Sequence, residues 1–293
     1  MKKITLGFLE SQISKINKDE LKILLGKKRL KFTSRDIAVL LFALYSSQKN
    51  FTYLKKIYHD FVRKSLINTT YQGFMYSLNV VSPVAEILFK NITKKSRSTR
   101  TLVVDTTLLP QKERHCINWS KDQNRTVSRG YGQLVCGVKV LMISTTDSVI
   151  LYLDVGCIRK NDAKIITEEF VQKVKTFNPK HVLLDKGFAS DPNRELFREF
   201  SILPVIPYKD NQPQKLTLRE KDLYSERFSI ENIFKVLKDP QGDIRLIMKK
   251  IRRGPIVRAK VFLAGLAYNL SRKKYCLYFS FDLDLINYLD CDF

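Results

Sequence analysis

The spacing of apolar residues changes once along this chain, near residue 100, and that change limits the folds open to it. Before this point the apolar residues recur at helical spacing, whereas short β-type runs alternate with helical stretches after it. We therefore expect a helical N-terminal region followed by a mixed sheet with helices packed on it, an α/β arrangement. The helices of the first region are predicted near 5–16, 19–30, 34–48, 52–66, 70–80 and 83–93.

The region after residue 100 is predicted to run β-β-β-α-β-α-β-α. Its first three strands would form a meander, because Thr145-Thr146-Asp147 is a hairpin signal between the second and third runs. Polar stretches at 111–132 and 210–220 are interpreted as loops. The strands are predicted at 101–109, 134–144, 149–158, 181–184 and 203–206, and the helices at 161–177, 192–200 and 224–238.

Domain boundaries follow from shifts in composition. The basic, Ser/Thr-rich link at 93–100 separates a helical domain, 1–95, from an α/β domain, 100–275. A further apolar helix at 256–270 is expected to be buried against the sheet. The aromatic and acidic segment 276–293 is interpreted as a C-terminal tail.

The charge of the chain predicts a polyanionic partner. The 52 Lys and Arg residues exceed the 29 Asp and Glu residues by 23, and residues 1–100 alone carry 20 and 6 of them. Nucleic acid is favoured over an acidic membrane, since no basic amphipathic helix with an aromatic face stands out. No run of about 18 apolar residues predicts a membrane span, and the N-terminus lacks the pattern of a signal peptide.

Cysteine and histidine usage argues against disulfide and zinc chemistry. The five cysteines are scattered without a CxxC pair, which is typical of reduced intracellular thiols. The three histidines lie far apart and in no metal-ligand spacing. We therefore expect a cytoplasmic protein whose chemistry depends on other side chains.

Two aspartates follow apolar β-type runs. Asp105 is predicted to end the first strand and Asp185 the fourth. Ligands of such sheets gather at the carboxyl ends of strands, so the two carboxylates would converge if these strands are neighbours. Asp154 ends the third run in the same way and is the main competitor, ranked below the other two. Each of these residues could also be a simple turn residue.

The stretch 224–238 has two faces when drawn as a helix. Ile230, Ile233, Phe234 and Leu237 fall at i, i+3, i+4 and i+7, which predicts a buried stripe. One carboxylate stands among three cations and a phenol on the neighbouring face, and an ordinary amphipathic helix with i, i+4 ion pairs would look similar. The residues of this second face are Tyr224, Arg227, Glu231, Lys235 and Lys238.

Asp105, Asp185 and Glu231 together suit binding of magnesium. Mg²⁺ takes oxygen ligands and is usually held by few carboxylates together with water and phosphate. Two such ions about 3.5–4 Å apart clamp the attacking and leaving oxygens of a phosphodiester displacement. Nearby cations, such as Arg227 and Lys238, would hold the DNA backbone.

The N-terminal helices contain one possible DNA-reading motif. The predicted helices 52–66 and 70–80 are joined by a short turn and could form a helix-turn-helix. Tyr71, Gln72 and Tyr76 would then face the groove. A plain helical bundle with basic, solvated faces fits the same residues.

Three motifs of the chain resemble a known family. Val104-Asp105-Thr106-Thr107, the segment 184–190 and the helix 224–238 are similar to the three acidic motifs of DDE insertion-sequence transposases. Tyr224, Arg227, Glu231 and Lys238 match the Tyr-x2-Arg-x3-Glu-x6-Lys signature of one large bacterial subgroup. The resemblance covers about 100–270.

The resemblance implies a ribonuclease H-like core that holds two Mg²⁺ ions, or Mn²⁺ in their place. Asp105, Asp185 and Glu231 would be the catalytic metal ligands, and Tyr224, Arg227 and Lys238 would contact DNA phosphate. The activity implied is cleavage at the ends of a mobile element, followed by attack of the freed 3′-OH on target DNA. The partner would be double-stranded DNA and not a membrane, with a homodimer formed on DNA and a nucleoid-associated location.

Two departures and two alternatives accompany the resemblance. Only 46 residues separate Asp185 from Glu231, which leaves no room for the large β-rich insertion of some relatives. The only Trp, Trp119, precedes Asp185, so the base-stacking Trp of some relatives is not carried over. The alternatives are a structure-specific endonuclease or resolvase with the same core, and a decayed copy that binds DNA without cutting it.

Overall fold

The computed structural model of the chain contains two compact units. The sheet unit is mainly Thr93–Val236, and the helical unit combines the chain up to Ile92 with a later part that begins at Leu237. The residues that the structure describes are 4–25, 32–49, 54–93, 100–111, 125–127, 134–156, 161–209, 214–238 and 254–272.

The sheet unit is built on six strands among its described residues. These are β1 (Thr101–Gln111), β2 (Arg125–Val127), β3 (Leu134–Thr145), β4 (Ile150–Gly156), β5 (His181–Leu184) and β6 (Leu203–Val205). Their order is β2-β3-β1-β5-β6, and β4 also pairs with β3. The pairs of β3 with β1, β2 and β4 are antiparallel, whereas β1–β5 and β5–β6 are parallel. The mixed sheet predicted from the sequence is therefore confirmed.

The pairing of β1 with β5 determines where two of the acids lie. Leu102–Val104 and Val182–Leu184 are fully buried, as expected for strands covered on both faces. Their last paired residues are Val104 and Leu184. The next residue of each segment is an aspartate, so Asp105, still within β1, and Asp185, just after β5, lie side by side where the parallel pairing ends.

Helices of the sheet unit begin at side-chain caps. The helices are α7 (Glu168–Lys175), α8 (Asp191–Glu199), α9 (Leu218–Ser225) and α10 (Phe228–Lys238). The last two residues of α10 belong to the helical unit. Thr167, Ser190 and Thr217 each accept a hydrogen bond from a backbone amide of the first turn of α7, α8 and α9. Such caps satisfy donors that have no partner within the helix. Thr217 also forms a reciprocal capping box with Glu220.

The helical unit contains the predicted N-terminal helices and one helix from later in the chain. All six predicted helices are present, and the seventh, α11, carries 14 buried residues between Ile256 and Leu270. It contacts α3 and α5. The helices are α1 (Leu6–Ser14), α2 (Lys18–Leu25), α3 (Ser34–Lys49), α4 (Leu54–Arg63), α5 (Tyr71–Val81), α6 (Val84–Thr93) and α11 (Gly254–Ser271).

The placement of α11 corrects one sequence prediction. We expected 256–270 against the sheet and inside a 100–275 domain, whereas the structure groups it with the N-terminal helices. Phe262 packs against Phe89 with ring centroids 5.6 Å apart, and Arg258 pairs with Glu86 at 2.7 Å. Because the helix is apolar on every side, its sequence shows that it is buried but not which elements bury it.

Three further expectations change in detail. The predicted loop 111–132 contains the short strand β2. The predicted helix 161–177 divides into a 3₁₀ helix, 162–164, and α7, because the Thr167 side chain starts a new helix. The predicted helix 224–238 divides into α9 and α10, and α9 begins within the predicted loop 210–220. The link at 94–99 and the tail at 276–293 lie outside the described residues.

The pair α4 and α5, proposed as a helix-turn-helix, is in contact in the helical unit. The Tyr71 ring packs edge-on against Tyr58 at 5.4 Å, so it contributes to the helix contact. Gln72 and Tyr76 are exposed on α5. Along the described part of the chain, none of the helices is both long and apolar enough to span a membrane.

Candidate active site

The three acids singled out in the sequence come from three different elements of the sheet unit. Asp105 lies within β1, which continues to Gln111, so it does not end the strand as expected. Asp185 follows β5 directly and is the residue before a 3₁₀ helix at 186–188. Glu231 lies in the first turn of α10.

Arg227 brings these acids together. Its Nη2 lies 2.7 Å from Asp105 Oδ2 and 3.7 Å from Asp185 Oδ1, and its Nη1 lies 2.8 Å from Glu231 Oε1. The two aspartate oxygens are therefore no farther apart than the sum of the first two distances. One guanidinium is thus shared by all three carboxylates. The sequence suggested an arginine directed at phosphate and gave no sign of this contact.

Arg227 reaches the acids from a turn and not from a continuous helix. The helix α9 ends at Ser225, and α10 begins at Phe228. The backbone amide of Arg227 donates to Tyr224 O at 3.0 Å, and the amide of Ile230 donates to Arg227 O at 3.1 Å. These i to i+3 bonds are tighter than those of an α-helix, so the predicted common helical face of Tyr224, Arg227 and Glu231 is replaced by a bend.

Exposure divides the cluster into a closed and an open side. The side chains of Arg227 and Asp105 are 14% and 11% exposed, whereas those of Asp185 and Glu231 are 45% and 46% exposed. Burial raises the pKa of Asp105 to about 6, with a further rise from Asp185, against the opposing effects of Arg227 and the Thr106 amide. Ligands from solvent would meet Asp185 and Glu231 first.

The other two groups near the acids are Tyr224 and Arg227 itself. The Tyr224 hydroxyl lies 3.5 Å from Asp185 Oδ1, and burial, with the nearby aspartates, raises the pKa of this phenol to about 12. Burial lowers the pKa of Arg227, but Asp105 and its neighbours outweigh that effect and raise it. At neutral pH the site therefore holds a protonated phenol and a charged guanidinium.

Lys238, the last residue of the sequence signature, is exposed at the end of α10. It lies two helical turns after Glu231, in the part of the helix that belongs to the helical unit. The competitor Asp154 lies on β4 opposite Leu141, and its carboxylate accepts a hydrogen bond from the Val155 amide at 2.8 Å.

The three carboxylates are suitable ligands for a divalent metal ion, although the guanidinium of Arg227 lies among them in this structure. Mg²⁺ prefers carboxylate oxygens, and three such groups contact one guanidinium here. Within the described ranges, no group of three or more His, Cys, Asp or Glu side chains has the arrangement of a formed metal site. The guanidinium is the cation that the acids share in this structure.

A carboxylate that the sequence prediction missed lies beside this cluster. Asp162 Oδ1 accepts hydrogen bonds from Thr106 Oγ1 at 2.9 Å and from Lys139 Nζ at 3.0 Å. In the sequence, Asp162 falls at the start of the predicted helix 161–177, where an acidic residue is ordinary. The Thr167-Glu168-Glu169 sequence is a stronger helix start, and it would have left Asp162 outside the helix.

Comparisons with known proteins bear on the family and the fold of the chain. Among solved structures, the chain is similar to the piggyBac transposase in a cryo-EM structure of its synaptic complex with hairpin DNA. The TM-score is 0.50 and the identity 11%, over 92% of this chain and 76% of that one. A search of curated proteins found no match. The family model described as "Transposase DDE domain" matches residues 96–270, and the chain therefore belongs to the DDE transposases.

Proposed function

We propose that this transposase cuts DNA at the ends of a mobile element and joins them to target DNA in a metal-dependent reaction. Asp105, Asp185 and Glu231 would hold two Mg²⁺ ions, for which Mn²⁺ can substitute. The single observation that carries the proposal is the set of three carboxylates bound to one guanidinium, because only converging acids can share ions.

The order of the strands supports a ribonuclease H-like core for the sheet unit. The long strand β3 is antiparallel to both β1 and β4, and β5 and β6 extend the sheet in parallel on the other side of β1. Helices α7 and α8 connect β4, β5 and β6. We infer that the helical unit, built mainly from residues 1–95, supplies DNA binding, since residues 1–100 carry 20 basic and 6 acidic side chains.

The chain's own residues have distinct tasks in this proposal. The Thr106 amide donates to Asp105 Oδ1 at 2.7 Å and keeps that carboxylate aimed at the cluster. Bound Mg²⁺ would polarise the phosphate and lower the pKa of the attacking water. The water would lose a proton and its oxygen would bond to phosphorus as the bond from that phosphorus to the 3′-oxygen breaks and this oxygen takes up a proton. The freed 3′-OH would then lose its proton and bond to phosphorus in target DNA as the bond from that phosphorus to the target strand's own 3′-oxygen breaks and that oxygen is protonated.

Arg227, Tyr224 and Lys238 would hold the DNA backbone near the cut, as the subgroup signature implies. The Nε atom of Arg227 is buried and has no hydrogen-bond partner within the described structure. Guanidinium groups recognise phosphate through paired N–H donors. Once metal ions replace the guanidinium as partners of the acids, Arg227 would donate this N–H to phosphate. Two element ends must be cut, which favours a homodimer on DNA in the nucleoid.

The proposal is tested by replacing each acid with its amide. Asp105→Asn, Asp185→Asn and Glu231→Gln are expected to lower Mg²⁺-dependent nicking of an element end by a factor of at least about 10³, while binding of the same DNA is kept. Strand joining by the wild type would separate a transposase from an endonuclease or resolvase, which only cuts. Full cutting by any one variant would exclude that residue as a metal ligand.

A further inference from the structure

Asp162 connects the two segments that carry the strand-borne acids. Its carboxylate accepts a hydrogen bond from the Thr106 hydroxyl, and the backbone amide of Thr106 donates a hydrogen bond to the Asp105 carboxylate. On its other side, Asp162 Oδ2 lies so close to Gly187 that a Cβ atom there would be 3.0 Å away. Gly187 is two residues after Asp185, so a single carboxylate is bonded to the residue after Asp105 and leaves little room for a side chain in the turn after Asp185.

Asn193 provides a second connection between the same segments. This buried amide donates to Ala163 O at 3.0 Å and to Phe188 O at 2.9 Å. It thereby joins the 3₁₀ helix at 162–164 to the 3₁₀ helix that follows Asp185. The 3₁₀ helix that carries Asp162 is therefore held at the neighbouring Ala163 carbonyl as well as through the Asp162 side chain.

Lys139 limits what Asp162 itself does in the site. The Lys139 ammonium shares Asp162 Oδ1 with the Thr106 hydroxyl, and the two paired side chains are only 18% and 29% exposed. The Asp162 carboxylate is thus paired with its own cation, Lys139, and within the described residues it makes no hydrogen bond or ion pair with Arg227, the cation that the three acids share. Its contacts suit support of the neighbouring acids.

We propose that Asp162 is a positioning residue that sets the separation of Asp105 and Asp185. It would fix Asp105 through Thr106 and fix the turn after Asp185 by steric contact at Gly187, so that both acids reach the same divalent ions. The inference rests on the proposed function, because it concerns metal binding by these acids. Groups that orient metal ligands are worth about 10- to 100-fold in metal affinity when removed.

The test is Mn²⁺ binding by the full-length protein without DNA, measured by electron paramagnetic resonance. Asp162→Ala is expected to raise the Mn²⁺ concentration at half-saturation by about tenfold. The matched control is Asp154→Ala, which removes a carboxylate on β4 of the same sheet. It is expected to leave the Mn²⁺ concentration at half-saturation unchanged. Equal half-saturation in the two variants would overturn the inference.

Substitutions at Thr106 show whether the effect passes through the proposed contact. Thr106→Val, which lacks the hydroxyl, is expected to weaken Mn²⁺ binding as Asp162→Ala does, whereas Thr106→Ser is expected to bind as the wild type does. The double variant Thr106→Val/Asp162→Ala should bind no more weakly than Asp162→Ala alone, since Asp162→Ala already removes the contact with Thr106. Additive losses would contradict this path. These Thr106 variants also decide the matter should Asp162→Ala fail to fold.

The proposed function and this inference fail in different ways. If the wild type binds no Mn²⁺ and does not nick DNA, both are wrong. If the wild type does both and Asp162→Ala matches Asp154→Ala, only the role of Asp162 is wrong.

Discussion

Two regions of the sheet unit supply the groups of the site, and they are held by different forces. On the sheet side, Asp105 and Asp185 each follow a run of three fully buried residues, Leu102–Val104 and Val182–Leu184, that pair with each other. At the α9–α10 junction, Arg227 sits in a turn, and Phe228 beside it is 66% exposed. The core therefore fixes the acids of the sheet, whereas ion pairs with the acids hold Arg227 in the junction, and burial resumes at Ile230 of α10.

The largest expected contrast is between two phenylalanines that flank the acids. Phe188, in the turn after Asp185, is fully buried, so Phe188→Ala should lower the free energy of unfolding by about 3–5 kcal/mol. Phe228→Ala in the junction should change it by less than about 0.5 kcal/mol. Urea denaturation measures both. Similar losses would mean that the junction is as tightly packed as the sheet side.

Removal of the Arg227 charge tests whether ion pairs hold the junction. Without metal, Arg227→Gln should lower the free energy of unfolding by about 1–3 kcal/mol, because three clustered acids lose their shared cation. The same variant should bind Mn²⁺ more tightly than the wild type, since no guanidinium competes, and added Mg²⁺ should restore its stability. Thermal melting with and without Mg²⁺ measures this crossover. Unchanged melting and unchanged Mn²⁺ affinity would contradict it.

The smallest expected effect compares two helix caps. Ser190→Ala and Thr217→Ala each remove one capping oxygen, at a loss of about 1 kcal/mol. Helix α8 buries Asn193, Arg194 and Phe197, whereas α9 has no fully buried residue. Ser190→Ala should therefore lower the stability of the whole unit, and Thr217→Ala should speed hydrogen exchange in α9 alone. Faster exchange throughout the unit in Thr217→Ala would show that α9 is more firmly packed than its exposure indicates.

The convergence of Asp105 and Asp185 could be predicted because both follow apolar runs that suit central parallel strands. The length of β1 could not be predicted, because its continuation to Gln111 depends on pairing with β3. The six N-terminal helices followed from periodicity. The burial of α11 also followed from its composition, but its partners depend on the other surfaces of the fold.

The position of Arg227 was beyond sequence reasoning for a physical reason. No Gly or Pro interrupts 218–238, so nothing local marks the break between α9 and α10. The break places the guanidinium where three carboxylates attract it, and those acids come from segments up to 122 residues away in the chain. A helical drawing of 224–238 alone cannot include that attraction.

The helical unit is discontinuous in sequence, because α11 follows the whole sheet unit. During translation, the ribosome completes the sheet unit before it makes the helix that α3 and α5 contact. The N-terminal helices emerge first, and the apolar surface that α11 covers stays exposed until α11 has been made. This delay leaves the nascent chain dependent on chaperones at its N-terminal end, while its catalytic half can already fold.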